Sequence, residues 1–406
     1  VNIALILRTL GRRKIGAILI ALQVAVTIAV LSNSLSVVQQ RISHMQRPSG
    51  LDEANIFTMA NQFAGPMTDL SARIQADLAL LRAIPGVVDA VAVHSFPLRG
   101  YGGSTDVKRT PDPKATSVNA AEYTATDRTL ATWGLQLIAG RNFTATEIRE
   151  FQSGAAWTPP AVAIVTRALA IALFPKGNAL GQNIYVSAAA PTLIVGIVER
   201  AQSPWATNES EAFGAENSVL EPMQWVSPGV AYVVRTQPGL SAALLKAAQT
   251  QLYTLSRARI ISEAQTFADT RAQQYQSDRS LALILVVVCS LMLAVTAFGI
   301  VAMTTYWVVQ RRRYIGMRRT LGARRADILQ YFQLENLLIA AMGGALGIAA
   351  AIGGNVWLAS TLEITRMSVA YVVAGTLIVL ALSQMAVLWP AFRAASISPA
   401  AALRDL

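Results

Sequence analysis

The chain has 406 residues, 53% of them hydrophobic and only 14% charged, with a mean hydropathy of +0.42 and a formal net charge of +11. An ordinary soluble domain is about 25% charged, so a purely soluble protein is set aside. Length allows two or three domains, and the apolar excess sits in a few runs, which points to a membrane protein with one large soluble part.

Residues 1–14 form a basic amphipathic segment carrying Arg8, Arg12, Arg13 and Lys14. Residues 15–38 follow, the first of four runs without Asp, Glu, Lys or Arg; the others are 281–309, 336–362 and 367–392. A bilayer core of about 30 Å needs roughly 20 helical residues, and each run exceeds that. The first run outlasts the apolar core of a signal peptide, and no small-residue cleavage pattern follows in "LSNSLSVVQQ". It is expected to remain as an anchor.

Residues 39–280 read as a folded domain. Strand-like runs ("AVAIVT", "TLIVGIVE", "VAYVVRT") alternate with helical ones ("LSARIQADLALLRAI", "LSAALLKAAQTQLYTL"), the pattern of βαβ-type α+β packing. Leu70, Ile74, Leu78 and Leu81 make one helical stripe that stops at Pro85 and Gly86. Thr144 with Glu147 has capping-box spacing. The flanks "SVVQQRISHMQ" and "SEAQTFADTRAQQYQSDRS" are expected to form a helical stalk, and 201–222 has loop composition.

Between the second and third spans, seven arginines crowd into residues 311–325. With the basic residues before the first span they hold nearly all the excess positive charge, whereas 39–280 carries 20 basic and 19 acidic residues. Cytoplasmic flanks collect Lys and Arg. Arg12, Arg13, Lys14, Arg311, Arg312 and Arg313 are therefore assigned as topology-setting, with both termini and the 310–330 loop inside and 39–280 periplasmic. A nucleic-acid binder carries its basic excess on a folded face, so the expected partner is the membrane and no nucleic acid. Within the loop, Tyr314, Met317 and Leu321 share a helical face, Arg319 points away from it, and Gly322 marks a break. Such a helix either lies among head groups or anchors a cytoplasmic partner.

In the third span (331–362 with its lead-in), Gly343, Gly347 and Gly353 line a small-residue face. Close backbone approach there suits packing among the four spans and a subunit interface equally well. The fourth span and a tail, 393–406, complete the chain.

No catalytic chemistry emerges. His44 and His94 are isolated, with no metal-ligand spacing. None of the five lysines follows a glycine, so a P-loop is absent. The single cysteine, Cys289, lies in the second span. The chain is expected to be a non-catalytic membrane subunit without a metal or cofactor of its own.

The segment "QRRRYIGMRRTLGARRADILQYFQLENLLIAAMGGALG" resembles the signature of FtsX-like ABC transporter permeases, and the tail "AFRAASISPAAALRD" resembles their ending. "TLATWGLQLIAGRNFTATE", "AVAIVTRALAIALFPKGNALGQNIYV" and "TLIVGIVE" are similar to the periplasmic core of MacB-type permeases. The resemblance implies an α-helical membrane protein with four transmembrane helices. A large α+β periplasmic domain, a βαβ-type porter-like part with an inserted β-rich subdomain, would lie between the first and second. It further implies that the loop couples to an ABC ATPase through Tyr314, Ile315, Gly316, Met317, Arg318, Arg319, Leu321, Gly322 and Ala323, with ATP and Mg held by that ATPase. A second permease subunit, identical or not, is implied, as are a periplasmic adaptor and an outer-membrane channel if the system exports. Two departures bear on this. With only fourteen residues before the first span, the ATPase is expected to be another polypeptide. Tyr314 stands where the family usually has Glu, which fits a different ATPase contact or a paired subunit that keeps the acid.

Three functions fit the resemblance: efflux of an antibiotic, peptide or other amphiphile; lipoprotein extraction as in LolC/LolE; and regulation of cell-wall hydrolases as by FtsX itself. The last is disfavoured because FtsX-type outer domains are smaller than this region.

Overall fold

The structure, a computed structural model, describes residues 14–65, 68–187, 190–206, 214–362 and 367–396. The chain forms two compact units, residues 1–45 with 278–406 and residues 46–277. Helix α1 (Lys14–Met45) is a single 32-residue helix that carries seven residues past the first apolar run.

The 46–277 unit begins with β1 (Ile56–Phe63), α2 (Leu70–Ala83) and β2 (Val87–Val93). Next come β3 (Gly103–Lys108), β4 (Val118–Ala125), α3 (Thr129–Trp133), β5 (Leu137–Gly140), β6 (Arg149–Gln152), β7 (Val162–Thr166) and α4 (Arg167–Leu173). They are followed by β8 (Asn183–Val186), β9 (Thr192–Val198) and β10 (Ser218–Val226), then β11 (Gly229–Thr236), α5 (Ser241–Leu255), β12 (Arg259–Thr266) and α6 (Phe267–Gln274).

One sheet has the order β12-β1-β11-β2, with every neighbouring pair antiparallel. β1 and β2 are therefore parallel with β11 between them, and β11 and β12 are parallel with β1 between them. Two split βαβ units interlock, the ferredoxin-like arrangement. Ile74, Leu78 and Leu81 of α2 and Ala248 and Leu252 of α5 share a core with Phe57, Met59, Tyr232 and Val234 of the sheet. Each fully buried aliphatic side chain of this set contributes about 1.5–3 kcal/mol relative to exposure. The stripe read from spacing thus buries as expected, apart from Leu70, which is half-covered. Gly86, at φ +94°, makes the turn into β2 that a residue with a Cβ resists.

The second sheet is inserted between β2 and β11, in the order β4-β3-β8-β9-β7-β10-β6, with β5 on β9. An extra pairing of β4 with β10 joins six of these strands into a closed ring. Val107, Ala120, Val165, Leu169, Ile184, Ile194 and Val219 fill its core.

Two local expectations change. Ser262–Thr266, read as stalk helix, is the end of β12: Thr266 pairs with Phe57 and its hydroxyl then caps α6. Residues 218–222, read as loop, open the buried strand β10. Glu221 and Pro222 disguise it, and Pro222 sits where β10 stops pairing with β4 and starts pairing with β6. The capping box expected at Thr144 and Glu147 is present, on a single 3₁₀ turn, with the Thr144 N–H donating to Glu147 Oε2 at 2.9 Å.

The other unit resumes with α7 (Gln276–Gln310), α8 (Arg312–Thr320), α9 (Arg325–Leu362) and α10 (Val369–Ala395). α1, α7, α9 and α10 are each long and apolar enough to cross a membrane. α9 packs on α1 and α10, around Val24, Ile28, Phe332, Ile339, Val379 and Val387. α7 touches this bundle along one line, Thr296, Ile300, Thr304, Trp307 and Val308, and exposes most of its remaining surface. The Thr27 and Thr296 hydroxyls meet at 2.8 Å. α9 starts earlier than the boundary expected at 331, because Asp327 accepts the Arg324 N–H at 2.8 Å and caps a turn inside the loop.

Candidate functional site

The arginine loop folds as a short, braced helix. α7 ends at Gln310, Arg311 makes the corner, and α8 runs to Thr320. Gly322, at φ +95°, closes it: the Gly322 N–H reaches Arg319 O at 3.2 Å and the Ala323 N–H reaches Arg318 O at 3.1 Å. This pairing of late amides with last-turn carbonyls favours glycine at that position.

One side of α8 is fixed. Ile315 and Gly316 are buried. The Arg319 guanidinium donates to Ala395 O at 3.1 Å, meeting the carbonyl-rich end of α10. Arg311 forms two hydrogen bonds to Glu335 at 2.6 and 2.8 Å and one to the Tyr331 hydroxyl at 3.1 Å. The opposite side is open: Tyr314 is 43% exposed, Met317 55% and Leu321 83%. Arg318 stacks over the Tyr314 ring at 4.9 Å and faces Tyr331 at 5.8 Å. Of the nine loop residues singled out from the sequence, Tyr314, Met317 and Leu321 therefore share an outward face. Arg319 turns away from it, and Ile315 and Gly316 position it from behind.

The topology-setting set divides differently. Arg12 and Arg13 lie outside the described residues, Lys14 opens α1, and Arg312 and Arg313 are exposed. Arg311 is neutralised by Glu335, whose side chain is 3% exposed. Sequence reading missed Glu335. It is the last charge before the third apolar run, but its partner lies 24 residues earlier, beyond any local spacing rule.

Residues 15–252 match the MacB-like periplasmic core domain, and residues 286–399 match the FtsX-like permease C-terminal family. The chain belongs to the MacB-like, FtsX-type permeases. The macrolide export ATP-binding/permease protein MacB of Pasteurella multocida is 25% identical over 279 residues, which cover 68% of this chain and 39% of that protein. Its namesake in Mannheimia succiniciproducens is 27% identical over 277 residues, covering 66% and 41%. The chain thus spans about two fifths of the length of these curated relatives. The crystal structure of the periplasmic region of MacB from Actinobacillus actinomycetemcomitans aligns with 58% of this chain and 98% of its own, at 16% identity and a TM-score of 0.32.

In this permease two of the three predicted packing glycines work within the chain. A Cβ on Gly343 would collide with the Ala21 carbonyl and come within 3.0 Å of Val24 Cβ. One on Gly347 would sit 2.8 Å from Ala25 O and 2.9 Å from Ile28 Cβ. Both glycines let α9 lie directly on α1. Gly353 does not join them: no described residue lies within 4 Å of its Cβ position, and Ala349 is exposed. The stripe of Gly343 and Gly347 continues instead to Ala351, which is fully buried.

The permease also carries a carboxyl pair that the sequence did not announce. Glu122 on β4 and Glu221 on β10 share the strand parity of the core residues Ala120 and Val219, so both face the inner side of the closed ring. Glu221 is fully buried, and Trp157 Nε1 donates to its Oε2 at 3.3 Å. Burial and the neighbouring Glu122 raise its pKa to about 8. Burial raises that of Glu122 too. At neutral pH the pair holds a proton.

Proposed function

We propose that this chain is the transmembrane permease subunit of a MacB-like ABC transporter. Both termini and α8 face the cytoplasm, residues 46–277 face the periplasm, and two permease subunits assemble together. An ABC ATPase, which binds Mg and ATP, docks on the face formed by Tyr314, Met317 and Leu321. Its cycle tilts the membrane helices and thereby moves the periplasmic part. The cargo is an amphiphile expelled from the periplasmic side through an adaptor and an outer-membrane channel. Efflux is preferred to lipoprotein extraction or hydrolase regulation because the relatives with the matching core domain are named macrolide exporters.

The observation that carries this reading is a nine-residue helix with an exposed apolar face and a back anchored to two spans, by Arg311 to Glu335 and by Arg319 to Ala395 O. Apolar side chains displayed on a helix are the anchors of helix-in-groove recognition. Because the back is held, force applied to the face is passed into α9 and α10 instead of being lost in a flexible loop.

The test is a pull-down of the chain from its native membranes, with ATPase assays of the recovered complex. An ATPase should co-purify with the parent chain and be lost with Leu321→Asp. Recovery of the same ATPase with the variant, or of no ATPase with either, would overturn the docking role.

A further inference from the structure

Beside the coupling face, at the same end of the spans, a cleft of about 370 Å³ opens between α7, α8 and α10. Its walls are Thr305, Val308, Val309, Arg312, Pro390 and Arg393. Two cations frame an apolar floor, and none of the described residues that line the cleft is acidic. Along the same stretch, Val309 is 66% exposed, Trp389 59% and Phe392 59%, and Arg393 lies over the Trp389 ring at 5.7 Å.

We infer that this cleft is a binding site for an anionic phospholipid of the surrounding bilayer. Arg312 and Arg393 hold the phosphate. The acyl chains run down Val309, Trp389 and Phe392. Guanidinium groups suit phosphate through planar, two-pronged hydrogen bonding. Basic pockets between spans at the membrane interface are the usual setting for phospholipid head groups. The apolar wall favours a lipid over a free anion: a soluble phosphate would leave the exposed Val309, Trp389 and Phe392 uncovered, whereas acyl chains cover them. Arg312 opens α8 and Arg393 lies in the last turn of α10, so the lipid would bridge the coupling helix to the fourth span. This inference stands whether or not an ATPase docks on Tyr314, Met317 and Leu321.

The test uses the full chain in mild detergent, with native mass spectrometry to count bound phosphatidylglycerol during titration. The parent chain should hold one tight phosphatidylglycerol. Arg312→Gln with Arg393→Gln should weaken that binding about thirtyfold, at about 1 kcal/mol per lost basic contact. Arg393→Lys should keep most of it. Val309→Trp, which fills the cleft and leaves both charges, should also abolish the tight site, while Arg313→Gln, outside the cleft, should not. Thermal unfolding midpoints matching the parent would confirm that each variant folds. Equal binding by the double variant or by Val309→Trp would overturn the site. Displacement of the lipid by equimolar inorganic phosphate would overturn the lipid assignment and leave an anion site.

Discussion

Arg259 grips Asp77 with two parallel hydrogen bonds, Nη1 to Oδ2 at 2.7 Å and Nη2 to Oδ1 at 2.9 Å, with side chains only 2% and 0% exposed. The Tyr232 hydroxyl donates to the same Oδ2 at 2.6 Å. Three elements, α2, β11 and β12, are tied at one carboxylate inside the ferredoxin-like sheet. Removing one member of a buried pair strands the other charge, at about 3–5 kcal/mol, while replacing both by apolar groups is often neutral. Asp77→Ala is therefore expected to destabilise the 46–277 unit by that amount, and Asp77→Leu with Arg259→Met to recover most of it. Thermal unfolding of the purified chain checks this; a single variant as stable as the parent would refute it.

The Glu122–Glu221 pair sets a pH dependence of definite sign. Glu221 binds its proton more tightly in the folded chain than in the unfolded one. Its contribution is therefore fully present below the ordinary carboxylate range and is lost as pH rises through about 8. The facing groups are Glu122, which opposes ionisation, and Trp157 and Arg149, which favour it. The melting temperature should fall between pH 5 and about 8, and Glu221→Gln should flatten that slope. Identical slopes in the two proteins would exclude the pair as the cause.

The glycines of α9 should be unequal. Gly343→Val places a side chain against the Ala21 carbonyl and must separate α9 from α1, an overpacking cost of about 1–3 kcal/mol. Gly353→Val meets open space and gains helix propensity, so its stability should match or exceed the parent's. Melting curves in detergent decide, and a loss at both positions would show that Gly353 is covered by something beyond the described residues.

Arg311→Gln leaves Glu335 buried without its cation. A loss of about 3 kcal/mol is expected, with recovery when Glu335→Gln is added. If the added change fails to restore stability, the pair is not what braces the corner between α7 and α8.

What was legible from sequence and what was not divides along range of interaction. Four uncharged runs gave four spanning helices, because hydropathy over 20 residues depends on no partner. The Ile74–Leu78–Leu81 stripe and the Tyr314–Met317–Leu321 face followed from helical period alone. Glu335, Glu221 and Asp77 were invisible for the opposite reason: each is made tolerable in the interior by a residue 24 or more positions away. β10 was misread because its meaning lies in which neighbours it changes between, and Pro222 reads locally as a breaker. Gly353 was grouped with Gly343 and Gly347, yet it lies off their i, i+4 stripe, which continues to the buried Ala351.

The length of α1 has a mechanical consequence. Thirty-two residues without an internal proline make a rod of about 48 Å, well beyond the bilayer core of about 30 Å. α7, with 35 residues, is longer still. Such rods neither stretch nor shorten cheaply, so each acts as a lever arm pivoting about its end beside the arginine loop. A tilt of about ten degrees at the end beside the arginine loop sweeps the far end of α1 through about 8 Å, given that length. Movements too small to rearrange packing at one leaflet become displacements larger than a methionine side chain beyond the other.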